Sequence, residues 1–346
     1  MFILFMAYAL VVLWGMKINL KDKNYFKDYI SKDKSTSIKG IFILLVFFSH
    51  FNKYASYSGT LDTIYFKIVG LVGQIMVVPF LFYSGYGVME SIKKKGDAYI
   101  SAIPKNRVLK VFLQFVIATA LLIAVKFAVG EEFTLRRIIL TLLSWESDWF
   151  IFAIICLYIF TYLGFRIIKS EKHLLGVLTV SLLTILYIII LRNFKSRMFY
   201  DTVLCYPLGM LYSLYKDKIE KLTGERIYKW MISVIVIGGL ATVFKVFGDK
   251  TLIPALLGFI LAGIFIVILT MRVSLHNKVL NWFGAHLFEV YLLHRIPMIV
   301  LEKIGFIKFS PPLSFIVSLT VTAGLSYLYS KMYKKVWALV SGQANK

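Results

Sequence analysis

The sequence has few of the residues that mark several common classes of soluble protein. It contains 2 cysteines, 7 prolines and only 18 acidic residues among 346. Cys156 and Cys205 lie within apolar segments, so we expect neither a disulfide framework nor a metal site. No internal repeat is visible, and no linker rich in proline, glycine or serine separates a second domain. We therefore predict that residues 1–346 form one domain.

Long hydrophilic stretches are scarce as well. The longest, residues 17–37, has 21 residues and is rich in lysine, which is typical of a segment lying on an anionic membrane surface. Hydrophobic residues make up 59% of the chain, and the mean hydropathy is +0.77. Apolar segments of bilayer-spanning length fill most of the sequence. This composition predicts an all-α fold, a polytopic transmembrane helical bundle.

The apolar segments divide into about ten core helices and one additional N-terminal span. We assign that extra span and a basic cytoplasmic segment to residues 1–33, and the core to residues 34–335. The first span lacks the basic start and cleavage site of a signal peptide. Residues 133–145 are too short to span and predict an interfacial segment. The predicted spans are 1–16, 38–57, 64–90, 108–129, 149–165, 174–191, 201–215, 227–247, 252–270, 282–301 and 313–330.

The formal net charge of +22 would suggest nucleic-acid binding in a soluble protein. Here, however, the basic residues are distributed unevenly between the two sides of the predicted membrane spans. With the N-terminus outside, the inner connections hold 27 lysines and arginines and the outer ones 10. Because basic residues are enriched in cytoplasmic loops, this predicts a plasma-membrane protein with a cytoplasmic C-terminus and no nucleic-acid partner. Residues 192–199 do not fit this scheme, because they place three basic residues outside.

Two ionisable residues share the predicted span 38–57. The helical rise of about 1.5 Å per residue puts the His50 imidazole roughly 16 Å beyond the Lys39 ammonium, near the middle of a bilayer. Ionisable groups at that depth are costly and are therefore functional candidates. The alternative is a histidine that is merely hydrogen-bonded to a neighbouring helix. Ser49, Asn52 and Tyr54 make the outer half of this span more polar, which suggests a cavity.

A second histidine, His294, lies twelve residues into a later span that also starts inside, so both histidines should reach a similar depth. Glu289 and Arg295 add two further ionisable groups to this span. The spacing of Glu289 and His294 does not place them on one helix face, so we expect different neighbours for them. Pro297 predicts an interruption of the helix just beyond His294.

A basic pair opens the predicted span 108–129. Arg107 and Lys110 are three residues apart and should share one helix face at a helix N-terminus, which is a natural phosphate site. The alternative is that these charges only set the topology.

Two smaller features accompany the basic pair. Tyr83 and Ser84 precede Gly85 and Gly87, and both glycines are typical of close helix packing. Asp148 and Trp149 lie at the outer mouth of the fifth span, where tryptophan is commonly an interfacial anchor.

Taken together, these residues resemble the acyltransferase 3 family of integral membrane acyltransferases. That family carries a basic residue, ten intervening residues and a histidine on an early helix, as Lys39 and His50 do here. Lys39 and Lys110 stand where the family usually has arginine, and lysine cannot form a planar bidentate contact. The resemblance runs from about residue 34 to residue 330, and its later landmarks are 82–86, Arg107 with Lys110, 149–158, 206–210 and 290–294.

The resemblance implies a membrane-bound O-acyltransferase that moves an acetyl or similar short acyl group from acyl-CoA to a carbohydrate hydroxyl. The acceptor would be a cell-surface glycopolymer or its lipid-linked precursor, and acyl-CoA would be a co-substrate, not a permanently bound cofactor. The resemblance implies that His50 is the base or the acyl carrier, with His294 as a second catalytic residue. The implied donor-binding residues are Lys39, Arg107, Lys110, Tyr83 and Ser84, and the candidates for acceptor binding or structure are Glu289, Arg295, Trp149 and Asp148.

One alternative function uses the same residues. A transporter or flippase for a lipid-linked or small polar substrate would also need midplane histidines and basic inner loops, but its usual internal repeat is not visible. Acyl-CoA, a carbohydrate acceptor and the bilayer are thus the expected partners, and the sequence leaves a homo-oligomer open.

Overall fold

The structure is a computed structural model that describes residues 1–56, 59–145, 148–168, 171–248 and 251–342. In this part of the chain the backbone is almost entirely helical, as predicted. Two short strands, β1 (Lys17–Ile18) and β2 (Val273–Ser274), pair in antiparallel fashion. The α-helices are α1 (Phe2–Leu13), α2 (Lys32–Phe51), α3 (Thr60–Val72), α4 (Val78–Lys95), α5 (Asp97–Ile103), α6 (Lys110–Ala128), α7 (Leu135–Leu142), α8 (Trp149–Ile168), α9 (His173–Leu191), α10 (Cys205–Ile219), α11 (Ile227–Gly248), α12 (Leu252–Arg272), α13 (Lys278–Ala285), α14 (Leu287–Leu293), α15 (Arg295–Lys303), α16 (Phe306–Phe309) and α17 (Pro311–Ser341).

Four shorter turns join or extend these helices. Gly73–Val77 and Arg197–Phe199 are 3₁₀ turns, whereas Pro104–Leu109 and Glu220–Gly224 are wider π turns. We call the end of the bundle at which α2 begins and α4 ends the inner end, and the opposite one the outer end. These names follow the orientation predicted from the charges.

Eight helical segments of the described residues are long and apolar enough to cross a membrane, which agrees with a multi-pass membrane protein. Three of the predicted spans are not single helices of bilayer-spanning length in the structure. Helix α1 has 12 residues, which corresponds to about 18 Å and is shorter than a bilayer core of about 30 Å. Helix α10 has 15 residues. The span predicted at 282–301 is divided among α13, α14 and α15.

Helix α2 is held in place by an unusually close approach to α13. A Cβ atom on Gly40 would lie 1.9 Å from the carbonyl oxygen of Leu280, and one on Gly284 would lie 1.8 Å from that of Thr36. Only glycine permits this backbone contact. The crossing therefore determines the position of Lys39, the residue that precedes Gly40.

Helices α4 and α10 approach in the same way. A Cβ atom on Gly85 would lie 1.9 Å from the carbonyl oxygen of Tyr206, and one on Gly209 would lie 2.0 Å from that of Phe82. The prediction of close packing is therefore confirmed for Gly85 and wrong for Gly87, where a Cβ atom would meet nothing within 4 Å because that position faces open space. Because Ser84 is the neighbour of Gly85, this crossing determines where its hydroxyl lies.

One buried charge connects distant parts of the chain at the inner end. Arg272 has no exposed surface, and its guanidinium donates hydrogen bonds of 2.8–3.2 Å to the carbonyls of Asn19, Lys21, Gly224 and Glu225. A buried cation is tolerated when such acceptors replace water. Arg272 thus links the N-terminal segment, the connection between α10 and α11, and the end of α12.

Candidate active site

A cavity of 490 Å³ lies in the inner half of the bundle, between α2, α4, α6 and α8. We call it the inner cavity, and its polar wall includes Lys39, Tyr83, Ser84, Arg107 and Tyr158. Its volume is in the range of small-molecule sites. None of the described residues that line it is an aspartate or a glutamate. The structure therefore brings four of the five candidate donor-binding residues together in a cavity with positive charge.

Arg107 is held at the inner cavity by aromatic side chains. Its Nε donates a hydrogen bond of 3.0 Å to the Tyr99 hydroxyl, and its guanidinium lies 5.9 Å from the centroid of the Tyr158 ring. The Tyr158 hydroxyl is in turn 3.0 Å from Oγ of Ser84. No carboxylate pairs with Arg107 in the described ranges, so most of its donors remain available for an anionic ligand.

Lys39 is a further cation of the inner cavity, which the exposed Lys32 also lines. It is partly buried in α2 and forms no hydrogen bond or ion pair with any residue that the structure describes. A desolvated ammonium without a counterion is costly, and an anion in the cavity would stabilise it.

Lys110, the fifth candidate, does not reach the inner cavity. Its Nζ lies 5.5 Å from the centroid of the Trp337 ring on α17. The prediction that Arg107 and Lys110 share a helix face is therefore wrong. The reason is the π turn at Pro104–Leu109, whose wider i→i+5 geometry rotates residues three apart onto different sides.

His50 and His294 are in direct contact, which confirms the prediction that they reach a similar depth. The distance from Nδ1 of His50 to Nε2 of His294 is 2.5 Å, and the rings stack with centroids 4.7 Å apart. We call them the histidine pair. It joins α2 to the junction of α14 and α15.

The hydrogen bonds of the histidine pair define the tautomer of each neutral ring. Nδ1 of His294 lies 3.1 Å from the carbonyl oxygen of Val290 and 2.8 Å from that of Tyr291. Because carbonyl oxygens only accept, this Nδ1 carries the proton and Nε2 is an acceptor. Nδ1 of His50 must then be the donor, which leaves Nε2 of His50 with a free lone pair. The pair is thus arranged to present one unprotonated nitrogen.

The interruption of the helix beside His294 was predicted from Pro297, and this prediction is confirmed. Helix α14 ends at Leu293 and α15 begins at Arg295, with Pro297 in its first turn. Proline has no amide proton for the carbonyl four residues earlier, so the helix cannot continue regularly there.

The histidine pair does not line the inner cavity. Two aromatic side chains lie between them: Phe150 lines the cavity and has its ring centroid 5.5 Å from that of Tyr291, and the Tyr291 ring is 6.2 Å from that of His294. We call Phe150 and Tyr291 the aromatic barrier. It separates the space for a ligand from the group that is best suited to proton transfer.

The two ionisable neighbours of His294 differ in their contacts. Glu289 accepts a hydrogen bond of 3.0 Å from Nε2 of Gln114, so it and His294 have different partners, as predicted. Arg295 is partly buried and forms no hydrogen bond or ion pair with the residues that the structure describes.

The remaining candidates lie at the start of α8. The carbonyl of Asp148 accepts the amide of Ile151 at 2.9 Å, and the Trp149 ring packs against Phe150 with centroids 5.9 Å apart. Trp149 therefore packs against one member of the aromatic barrier, and neither residue is among those that line the inner cavity.

A second histidine arrangement was not predicted from the sequence. Oγ of Ser37 lies 2.8 Å from Nδ1 of His276, whose Nε2 is 3.2 Å from a carboxylate oxygen of Asp33. The residue types match a hydrolytic triad, but Ser37 has no exposed surface. This group joins the start of α2 to the segment before α13, and a substrate could not reach its serine.

Comparison with known families decides between the two functions considered from the sequence. The family model of an acyltransferase domain matches residues 35–331. The chain belongs to the acyltransferase 3 family. This acyltransferase has no match among curated proteins or among solved structures. The matched region contains every candidate site residue, whereas α1 and β1 precede it.

Proposed function

We propose that this membrane acyltransferase transfers a short acyl group, acetyl in the first instance, from acyl-CoA to a hydroxyl of a cell-surface carbohydrate or its lipid-linked precursor. The observation that carries the proposal is the inner cavity, whose described lining includes Lys39 and Arg107 but no carboxylate. An anionic donor supplies the missing negative charge.

Coenzyme A fits this pattern because its nucleotide end carries phosphates and its pantetheine arm is uncharged. The Arg107 guanidinium and the Lys39 ammonium would hold phosphate oxygens, with lysine acting as a point charge. The hydroxyls of Tyr83 and Ser84 are candidates for hydrogen bonds to the thioester carbonyl. If the inner end faces the cytoplasm, as the charge distribution predicts, the cavity opens toward the cellular supply of acyl-CoA.

His50 is the proposed base. Its Nε2 removes the proton of the acceptor hydroxyl as the oxygen attacks the thioester carbonyl, and the new C–O bond replaces the C–S bond. The thiolate of coenzyme A leaves and takes up a proton. Such general base catalysis contributes about 100- to 10,000-fold to rates. In the covalent version, Nε2 attacks the thioester itself and the acyl-histidine is then attacked by the acceptor.

Both versions require the acyl group to pass the aromatic barrier. The rings of Phe150 and Tyr291 form a line of contacts from the inner cavity to His294, so we expect the acyl end of the donor to pass beside them. A short acyl group needs the least room to pass, which favours acetyl over longer chains.

The test uses the purified full chain with acetyl-CoA and candidate glycans. We expect the wild-type protein to consume the thioester and form an ester, His50→Ala to bind acetyl-CoA without turnover, and Lys39→Ala to bind it weakly. Labelled acyl trapped on the protein without acceptor would support the covalent version. A wild-type protein that neither binds nor consumes coenzyme A esters would refute the proposal.

A further inference from the structure

Arg295 is an unpaired cation next to the histidine pair. It directly follows His294 in the chain and is partly buried, yet within the described residues it has no hydrogen-bonding or ionic partner. Ionisable residues in membrane segments usually pair with another group or mark a substrate path. The guanidinium keeps its charge at any physiological pH, so this arginine needs an anion that the described part of the chain does not supply.

A second cation lies close to the histidine pair. The amide of Lys53 donates a hydrogen bond of 3.1 Å to the carbonyl of His50, one turn away. Because the rings of His50 and His294 are in contact, Lys53 and Arg295 both lie within one turn of that contact along their own segments. A bound anion would be attracted by both charges.

Three carboxylates near this turn do not pair with the two cations in the part of the chain that the structure describes. Glu289 lies two turns inward and accepts its hydrogen bond from Gln114. Glu131 is paired with Lys126 at 2.9 Å. Glu302 lies two turns further along α15 and is exposed.

We propose that the acceptor carries an anionic group, a phosphate or a carboxylate, which binds Arg295 and Lys53 while a neighbouring hydroxyl faces His50. The guanidinium fork matches the paired oxygens of either anion. Arg295 is adjacent to one histidine and Lys53 is one turn from the other, so an anion held between them places the rest of the acceptor beside the histidine pair. This inference rests on the proposed function for the role of His50.

The experiment measures binding of four probes to the purified full chain. Two probes are anionic, N-acetylglucosamine 1-phosphate and farnesyl phosphate, and two are their neutral counterparts, N-acetylglucosamine and farnesol. We expect at least one anionic probe to bind more tightly than its neutral counterpart. For that probe we expect Arg295→Gln to weaken binding about tenfold, the loss of one hydrogen-bonded charge contact, and Arg295→Lys to restore part of it.

Three further variants separate this site from the rest of the protein. Lys53→Gln at an exposed position should weaken binding in the same direction, which keeps the test valid if Arg295→Gln fails to fold. Lys303→Gln, an exposed lysine at the end of the same helix, should have no effect. Arg107→Gln removes a competing phosphate contact in the inner cavity, and Arg295→Gln should weaken probe binding by the same factor in that background.

Preference for farnesyl phosphate would identify a lipid-borne phosphate, and preference for the sugar phosphate a soluble or polymeric acceptor. Anionic probes that bind no better than neutral ones, or equally well to wild type and Arg295→Gln, would overturn the inference. Acetyl-CoA consumption is followed in the same preparations. Loss of anion selectivity with intact consumption rejects this inference alone, whereas anion selectivity without acetyl-CoA binding rejects the proposed function alone.

Discussion

The inner cavity and the histidine pair differ in open volume and in how far their polar groups are paired, although both belong to one helical bundle. The inner cavity is an open space of 490 Å³ whose cations Lys39 and Arg107 have no carboxylate partner among the residues that the structure describes. The histidine pair is closed: its rings stack at 4.7 Å, and His294 is only 2% exposed. A ligand site needs room and unsatisfied charge, whereas a proton-transfer group needs a defined orientation. The difference separates donor binding from catalysis, and the aromatic barrier lies between them.

The largest effect is expected for His50→Ala. Removal of the free Nε2 should lower the acyl-transfer rate about 100- to 10,000-fold while the Kd for acetyl-CoA stays unchanged. The rate is measured as thioester consumption, and Kd by titration of the purified protein.

His286→Ala is the matched control, because that imidazole stacks on Trp282 at 4.3 Å and lies outside the histidine pair. Equal losses in both variants, or an unaffected His50→Ala, would contradict the division between binding and catalysis.

His294 is a positioning residue, because it acts through the tautomer of His50. We expect His294→Leu to lower kcat by about 10- to 100-fold, the range known for residues that orient a metal-bound histidine by a hydrogen bond, with little change in KM for acetyl-CoA. His294→Gln keeps an acceptor close to the position of Nε2 and should recover much of that loss. If leucine and glutamine behave alike, the histidine has a packing role only.

A substitution at Gly87 tests whether free volume in the inner cavity is needed for donor binding. A Cβ atom there would meet nothing within 4 Å, and the residue lines the cavity. We expect Gly87→Leu to fold normally but to weaken acetyl-CoA binding about tenfold by occupying the space of the donor. Gly324→Leu is the control, because position 324 on α17 is equally open and is not part of the cavity. Similar donor affinity in the two variants would argue against donor binding in this cavity.

The smallest effect distinguishes the two members of the basic pair. We expect Arg107→Gln to weaken acetyl-CoA binding about fivefold, the magnitude of one hydrogen bond, and Lys110→Gln to leave it unchanged. The measurement is a titration at constant ionic strength, because general screening would affect both residues alike. Equal losses would mean that positive charge at the inner end matters and that its position does not.

Much of the site could be predicted from periodicity and spacing. The apolar segments predicted the helical bundle, and two spans starting on the same side predicted equal depth for His50 and His294. Pro297 predicted the interruption that lies beside His294. These inferences depend on the helical rise and on the cost of polar groups in lipid, which are properties of each segment alone.

What the sequence by itself determined is therefore a membrane bundle with two histidines at one depth and basic residues at one end. Only the tertiary structure decided that Arg107 faces the inner cavity while Lys110 faces Trp337, since a π turn at Pro104–Leu109 changes their directions. It also decided that an aromatic barrier separates donor space from the histidine pair and that Arg295 has no partner among the described residues. Such features depend on contacts between helices distant in the chain, and no local pattern encodes which side chains meet there.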